Sequence, residues 1–160
     1  MVMIRPRGGN FSYSADELEI MRHDIEWARK LGADGVVFGC IRNQLLDTSA
    51  TNLLLDTAHA PNERILSVTF HMAFDEIHQE AQSDAFTWLA SHGVDRVLTH
   101  GGALSQPISS TLTHLKTLAE QSRRIGISIL PGGGVTWENA ESVAQQIGVS
   151  EVHGTRVVKL

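Results

Sequence analysis

Apolar runs of strand length alternate with longer amphipathic stretches along this whole chain. That alternation predicts a parallel sheet covered by helices. The strands are expected at Val2–Arg5, Gly35–Ile41, Ile65–His71, Arg96–His100, Ile127–Leu130 and Glu151–His153. The helices between them are expected at Ser14–Leu31, Thr48–Ala58, Asp75–Ser91, Ser109–Ser122 and Thr136–Ile147. Ser14 with Glu17 three residues on is a capping box, and Thr136 with Asn139 is a variant of it. No linker or low-complexity segment interrupts the alternation, so residues 1–160 read as one domain.

A weak internal repeat adds to this. Gly32, Gly93 and Gly148 each follow a helix, and Val36, Val97 and Val152 follow them at the next strand. A left-handed helix cap is the natural role of such glycines. The spacing, about two βα units each time, favours a (β/α)₈ barrel with six of its eight units present. A doubly wound sheet is the alternative, although no G-x-G-x-x-G follows the first strand.

Composition narrows the function classes. A formal charge of −5 with no Lys/Arg cluster gives no footprint for nucleic acid or a membrane surface. No apolar run is long enough to span a bilayer, and the first residues do not read as a signal peptide. The single cysteine, Cys40, fits a reducing cytoplasm.

Candidate chemistry collects after the strands, where both folds bind ligands. Gly132, Gly133 and Gly134 precede a helix and suit either a phosphate or carboxylate cradle or a tight turn that needs positive φ. Arg5 and Arg7 suit bidentate anion binding or a surface ion pair. Thr69 and His71 are expected on one inward face, with Asp75 as an acid–base partner for His71 and Thr99 as a further anion ligand. His71, His100 and His153 each end a strand, and with Cys40 they are the candidate metal ligands. Packed or exposed histidines, and a buried structural thiol, are the other readings of those positions. No nucleophile–base pair or Schiff-base lysine stands out, so no reaction is assigned.

The run from Val2 to Phe11, Val-Met-Ile-Arg-Pro-Arg-Gly-Gly-Asn-Phe, resembles the V-M-I-R-P-R-G-G-D-F signature of CutC proteins, which are linked by name to copper homeostasis. Gly32–Gly39, Val68–Asp75, Val94–Thr99 and Pro131–Val135 resemble family segments in the same order. Three departures stand out. Met72 replaces the arginine of F-H-R-A-F-D. His100 replaces a common serine. His153-Gly154-Thr155-Arg156 replaces H-[AC]-S-A, so that Arg156 offers a substitute cation.

The resemblance implies a cytoplasmic barrel of copper homeostasis with copper as a possible ligand. The residues by themselves favour a mouth for a small anionic molecule. Relative to the family, the first two βα units and their cysteine-containing stretch are absent. Six units cannot close an eight-stranded barrel. The expectation is either a longer chain that completes it or self-association of this chain, as a homo-oligomer, through open edges.

Overall fold

The computed structural model describes residues 1–159. Five parallel strands form one sheet in the order β1-β2-β5-β6-β7. They are β1 (Val2–Met3), β2 (Gly35–Phe38), β5 (Ser67–Phe70), β6 (Arg96–Thr99) and β7 (Ser128–Pro131). Five helices alternate with them: α1 (Ala15–Lys30), α2 (Thr48–Ala58), α3 (Gln79–Ser91), α4 (Leu112–Ile125) and α5 (Ala140–Ile147). A separate two-stranded antiparallel hairpin, β3 (Ile41–Arg42) with β4 (Leu45–Leu46), sits between β2 and α2. Among the described residues no helix is long and apolar enough to cross a membrane.

Strand register sorts the side chains into two faces. Val36, Val68, Phe38, Phe70, Val97 and Ile129 share one parity, and all six lie in the main apolar core. Their neighbours of opposite parity, Met3, Val37, Thr69, Arg96 and Ser128, form the inner face, which in a closed barrel lines the interior.

Local sequence accounts for much of this. Ser14 and Glu17 form the full capping box at the start of α1. Gly32, Gly93 and Gly148 all take positive φ at their helix ends. The hairpin turns on Asn43 and Gln44, both left-handed (φ 52° and 57°), which is the backbone of a type I′ turn.

Several boundaries differ from expectation. The predicted strand Gly35–Ile41 ends at Phe38, because the chain turns into the hairpin instead. The predicted helix Asp75–Ser91 is a 3₁₀ turn over Met72–Glu76 followed by α3, with extended backbone at Ile77 (ψ 136°) between them. Likewise Ser109–Ser122 is a 3₁₀ turn at Ile108–Ser110 and then α4.

The last unit departs most. Glu151–His153 forms no strand: His153 N–H reaches Pro131 C=O at 2.8 Å, and only Thr136 and Arg156 make an isolated bridge. The sheet therefore holds five strands rather than six, with β1 and β7 as its edges. Thr136 is held in that bridge, so α5 begins later, at Ala140. Asn139 makes its half of the expected box, its Oδ1 accepting from Thr136 N–H at 2.8 Å.

Candidate functional site

The strand tips carry two rows of residues, one on each side of the sheet. Thr69 pairs in register with Arg96, so Thr69 and His71 face inward with Leu98 and His100, whereas Thr99 has the opposite parity. The inner row comprises Arg5, Gly39, His71, His100 and Gly132.

His71 is fixed within this row by its own turn. It caps the 3₁₀ turn after β5, where its Nδ1 accepts the Ala73 N–H at 3.2 Å. The neutral ring must then carry its proton on Nε2, and that N–H is buried without a partner. Burial, and after it the charge of Arg5, pushes the His71 pKa down to about 4. The ring packs against Phe11, 4.7 Å between centroids, and the Arg5 guanidinium lies over that same Phe11 ring, 4.5 Å from its centroid. Gly39 leaves room for it, since a β-carbon there would stand 2.7 Å from His71 Nδ1.

Arg5 keeps most of its donors free. Its side chain is exposed, and one nitrogen donates to Gly9 C=O at 2.7 Å. Nearby Tyr13 is buried with its hydroxyl unpartnered; desolvation raises its pKa, and the charges of Arg5 and Arg7 oppose that. Arg7 is spent on structure. It pairs with Glu17 and donates to Asn10 C=O (2.9 Å) and Ser12 C=O (2.7 Å), which ties the first loop to α1.

At the other end of the row, His100 Nδ1 lies 2.9 Å from Gly133 C=O and 3.2 Å from Gly132 C=O. Two carbonyls require a donor, so Nδ1 carries the proton and the buried Nε2 is a bare acceptor without a partner. Gly133 and Gly134 take φ of +75° and +83°, and Gly133 is also crowded by Leu104, His100 and Met72. The steric need for glycine is met whether or not an anion binds. A cavity of about 370 Å³ adjoins His100, Ile108, Gly133, Gly134 and Asn139.

The outer row is built around Asp75. Its carboxylate accepts from Thr99 Oγ1 (2.5 Å), His100 N–H (2.9 Å) and Gly101 N–H (3.1 Å). Burial raises its pKa, against the pull of those hydrogen bonds. Asp75 and Thr99 therefore serve each other across β5 and β6, and neither shares the inner row with His71. His153 and Arg156 are exposed, with His153 beside Gly132. The predicted residues thus divide between the two rows and the surface rather than lining one cavity.

The four predicted metal ligands do not converge. Cys40 is buried, and desolvation followed by the charge of Asp47 pushes its thiol up to about 12. A soft copper site needs a thiolate, and this environment opposes one. Among the described residues no group of three His, Cys, Asp or Glu side chains is placed to hold a metal ion. This donor set does not fit copper.

Sequence reasoning missed Gln82 and His114. Gln82 is buried, and its Oε1 meets His114 Nε2 at 2.9 Å. Both sit on amphipathic helices, where nothing in the sequence separates them from ordinary helix-face residues.

Comparison with known proteins decides the family. The CutC family model matches residues 1–158. The chain belongs to the CutC family. It is 47% identical over 159 residues to a CutC family protein of Enterococcus faecalis, covering 99% of this chain and 73% of that one. It is 39% identical to the human copper homeostasis protein cutC homolog, spanning about half of it (52%) and 95% of itself. A crystal structure of the putative copper homeostasis protein CutC from Streptococcus agalactiae superposes with a TM-score of 0.90 at 40% identity, over 98% of this chain and 72% of that one. The CutC assignment and the parallel α/β architecture agree, and the five-stranded sheet is an open arc of that barrel-type fold.

Proposed function

We propose that this chain serves copper homeostasis, the role for which its human and mouse relatives are named, by binding a small carboxylated or phosphorylated molecule at the inner row. Its own side chains do not coordinate the metal in this reading. The observation that supports it is the orphaned Nε2–H of His71, whose ring packs on the same Phe11 that the Arg5 guanidinium covers. A buried donor left unpaired costs about 1–3 kcal/mol. An oxyanion would satisfy that donor and balance the Arg5 charge in one step. His71 contributes a neutral dipole and Arg5 the charge. The site works in the reducing cytoplasm, where the buried Cys40 thiol stays protonated.

Ring ¹⁵N NMR at pH 7 tests this, with inorganic phosphate and citrate as probes. A saturable shift of His71 Nε2 is expected, and it should be absent in Arg5→Ala. A His71 ring indifferent to both anions would overturn the reading.

A further inference from the structure

The outer side of the strand tips holds a cavity that the anion site does not use. Its volume is about 590 Å³, within the range of small-molecule sites. Asp75, Glu76, Gln82, Gly101, Gly102 and His114 are among the residues in its wall. It lies beyond β5 and β6, which are both interior strands of the sheet. Its walls therefore do not depend on anything that pairs with the edges.

The formal charge of these walls is one-sided, while the amides of Gln44, Gln79 and Gln106 and the ring of His78 add neutral polar groups. Gln82 Nε2 donates to the carbonyls of Phe74 (3.3 Å) and Ile77 (3.2 Å), which turns its Oε1 towards His114. That oxygen can only accept, so His114 Nε2, 2.9 Å away, carries the proton. Nδ1 is then a bare acceptor with no partner among the described residues. Burial lowers the His114 pKa, with the charge of Asp75 opposing, so the ring is neutral at pH 7. Asp75 receives three hydrogen bonds, and a carboxylate has roughly four lone-pair positions, so it retains about one. Glu76 adds a second carboxylate, and no lysine or arginine is found among the lining residues. Two carboxylates and a bare ring nitrogen with no lysine or arginine beside them favour a cation that donates hydrogen bonds.

We infer that this cavity is a second binding site, which takes a small molecule carrying a primary ammonium group. The ammonium donates to the Asp75 carboxylate and to His114 Nδ1, and Glu76 supplies further charge. Gln82 is a positioning residue, setting which nitrogen of His114 faces the ligand.

Calorimetric titration tests this with 1,4-diaminobutane and its neutral analogue 1,4-butanediol. The expected result is saturable one-to-one binding of the diamine and none of the diol. His114→Phe, checked for folding by thermal melting, should bind at least about tenfold more weakly, the loss of one hydrogen bond to a charged group. Glu76→Gln, at an exposed position, should weaken binding by a smaller factor. The Arg5→Ala protein should bind the diamine as the wild type does, which separates this site from the anion site. No diamine binding by the wild type, equal binding of the diol, or unchanged affinity in folded His114→Phe would each overturn the inference. Should His114→Phe fail to fold, unchanged affinity in Glu76→Gln would overturn it.

Discussion

The Asp75 carboxylate stands 2.5 Å from the Thr99 hydroxyl and also accepts the next two backbone N–H groups, so the turn after β5 supplies the acceptor that closes the end of β6. Asp75→Ala leaves the Thr99 hydroxyl and the His100 N–H without this acceptor, while the Gly101 N–H keeps Thr99 Oγ1 at 2.9 Å. Charge-assisted hydrogen bonds of this kind contribute about 1.5–3 kcal/mol each, though not additively. We expect Asp75→Ala to lose about 3 kcal/mol in urea unfolding, and Thr99→Val about 1 kcal/mol. Equal, small losses in both would mean that Asp75 does not organise this turn.

Gly39 is a close-approach position. A β-carbon there would stand 2.7 Å and 2.8 Å from two atoms of the His71 ring and 3.1 Å from the Ala73 β-carbon. Gly39→Ala should displace the ring, destabilise by about 1–3 kcal/mol and weaken phosphate binding. Thermal melting and an anion titration on the same sample check both effects.

His71 also predicts a pH dependence. Its folded-state pKa is about 4 against 6.5 for the free side chain, so between those values the unfolded chain binds more protons than the folded one. Stability from this group is therefore present above pH 6.5 and is lost as the pH falls towards 4. The full loss is about 3 kcal/mol. A His71→Asn variant should show a correspondingly shallower fall in urea-unfolding free energy across that window.

Much of the fold was legible because local signals agreed with tertiary packing. The Ser14–Glu17 box set the start of α1, and the bounds of Thr48–Ala58 match α2 at both ends. The hairpin was missed although Asn43 marks it, because Ile41 continued an apolar run and concealed the turn. Glu151–His153 looked like a strand from its pattern alone. Just beyond it, Gly154 passes so close to Val135 C=O that a β-carbon would lie 2.3 Å from the oxygen, and the segment meets β7 through His153 alone. In the site, the inward pairing of Thr69 with His71 followed from strand period. The opposite parity of Thr99 and the spending of Arg7 on Glu17 depend on register and loop path, which a single sequence does not encode locally.

Cys40 should behave as an inert thiol. With its pKa at about 12, the native protein at pH 8 should react with iodoacetamide at least about a hundredfold more slowly than the urea-unfolded chain. Comparable rates, followed by mass spectrometry, would place a reactive thiolate there after all.

The central claim, an anion held by Arg5 and His71 rather than a metal held by Cys40, meets its most direct test in calorimetry of the metal-free protein. Inorganic phosphate should bind saturably to the wild type and to Cys40→Ser, and at least about tenfold more weakly to Arg5→Ala and to His71→Phe. Phosphate affinity untouched by either substitution, or one-to-one Cu(I) binding that disappears in Cys40→Ser, would contradict it.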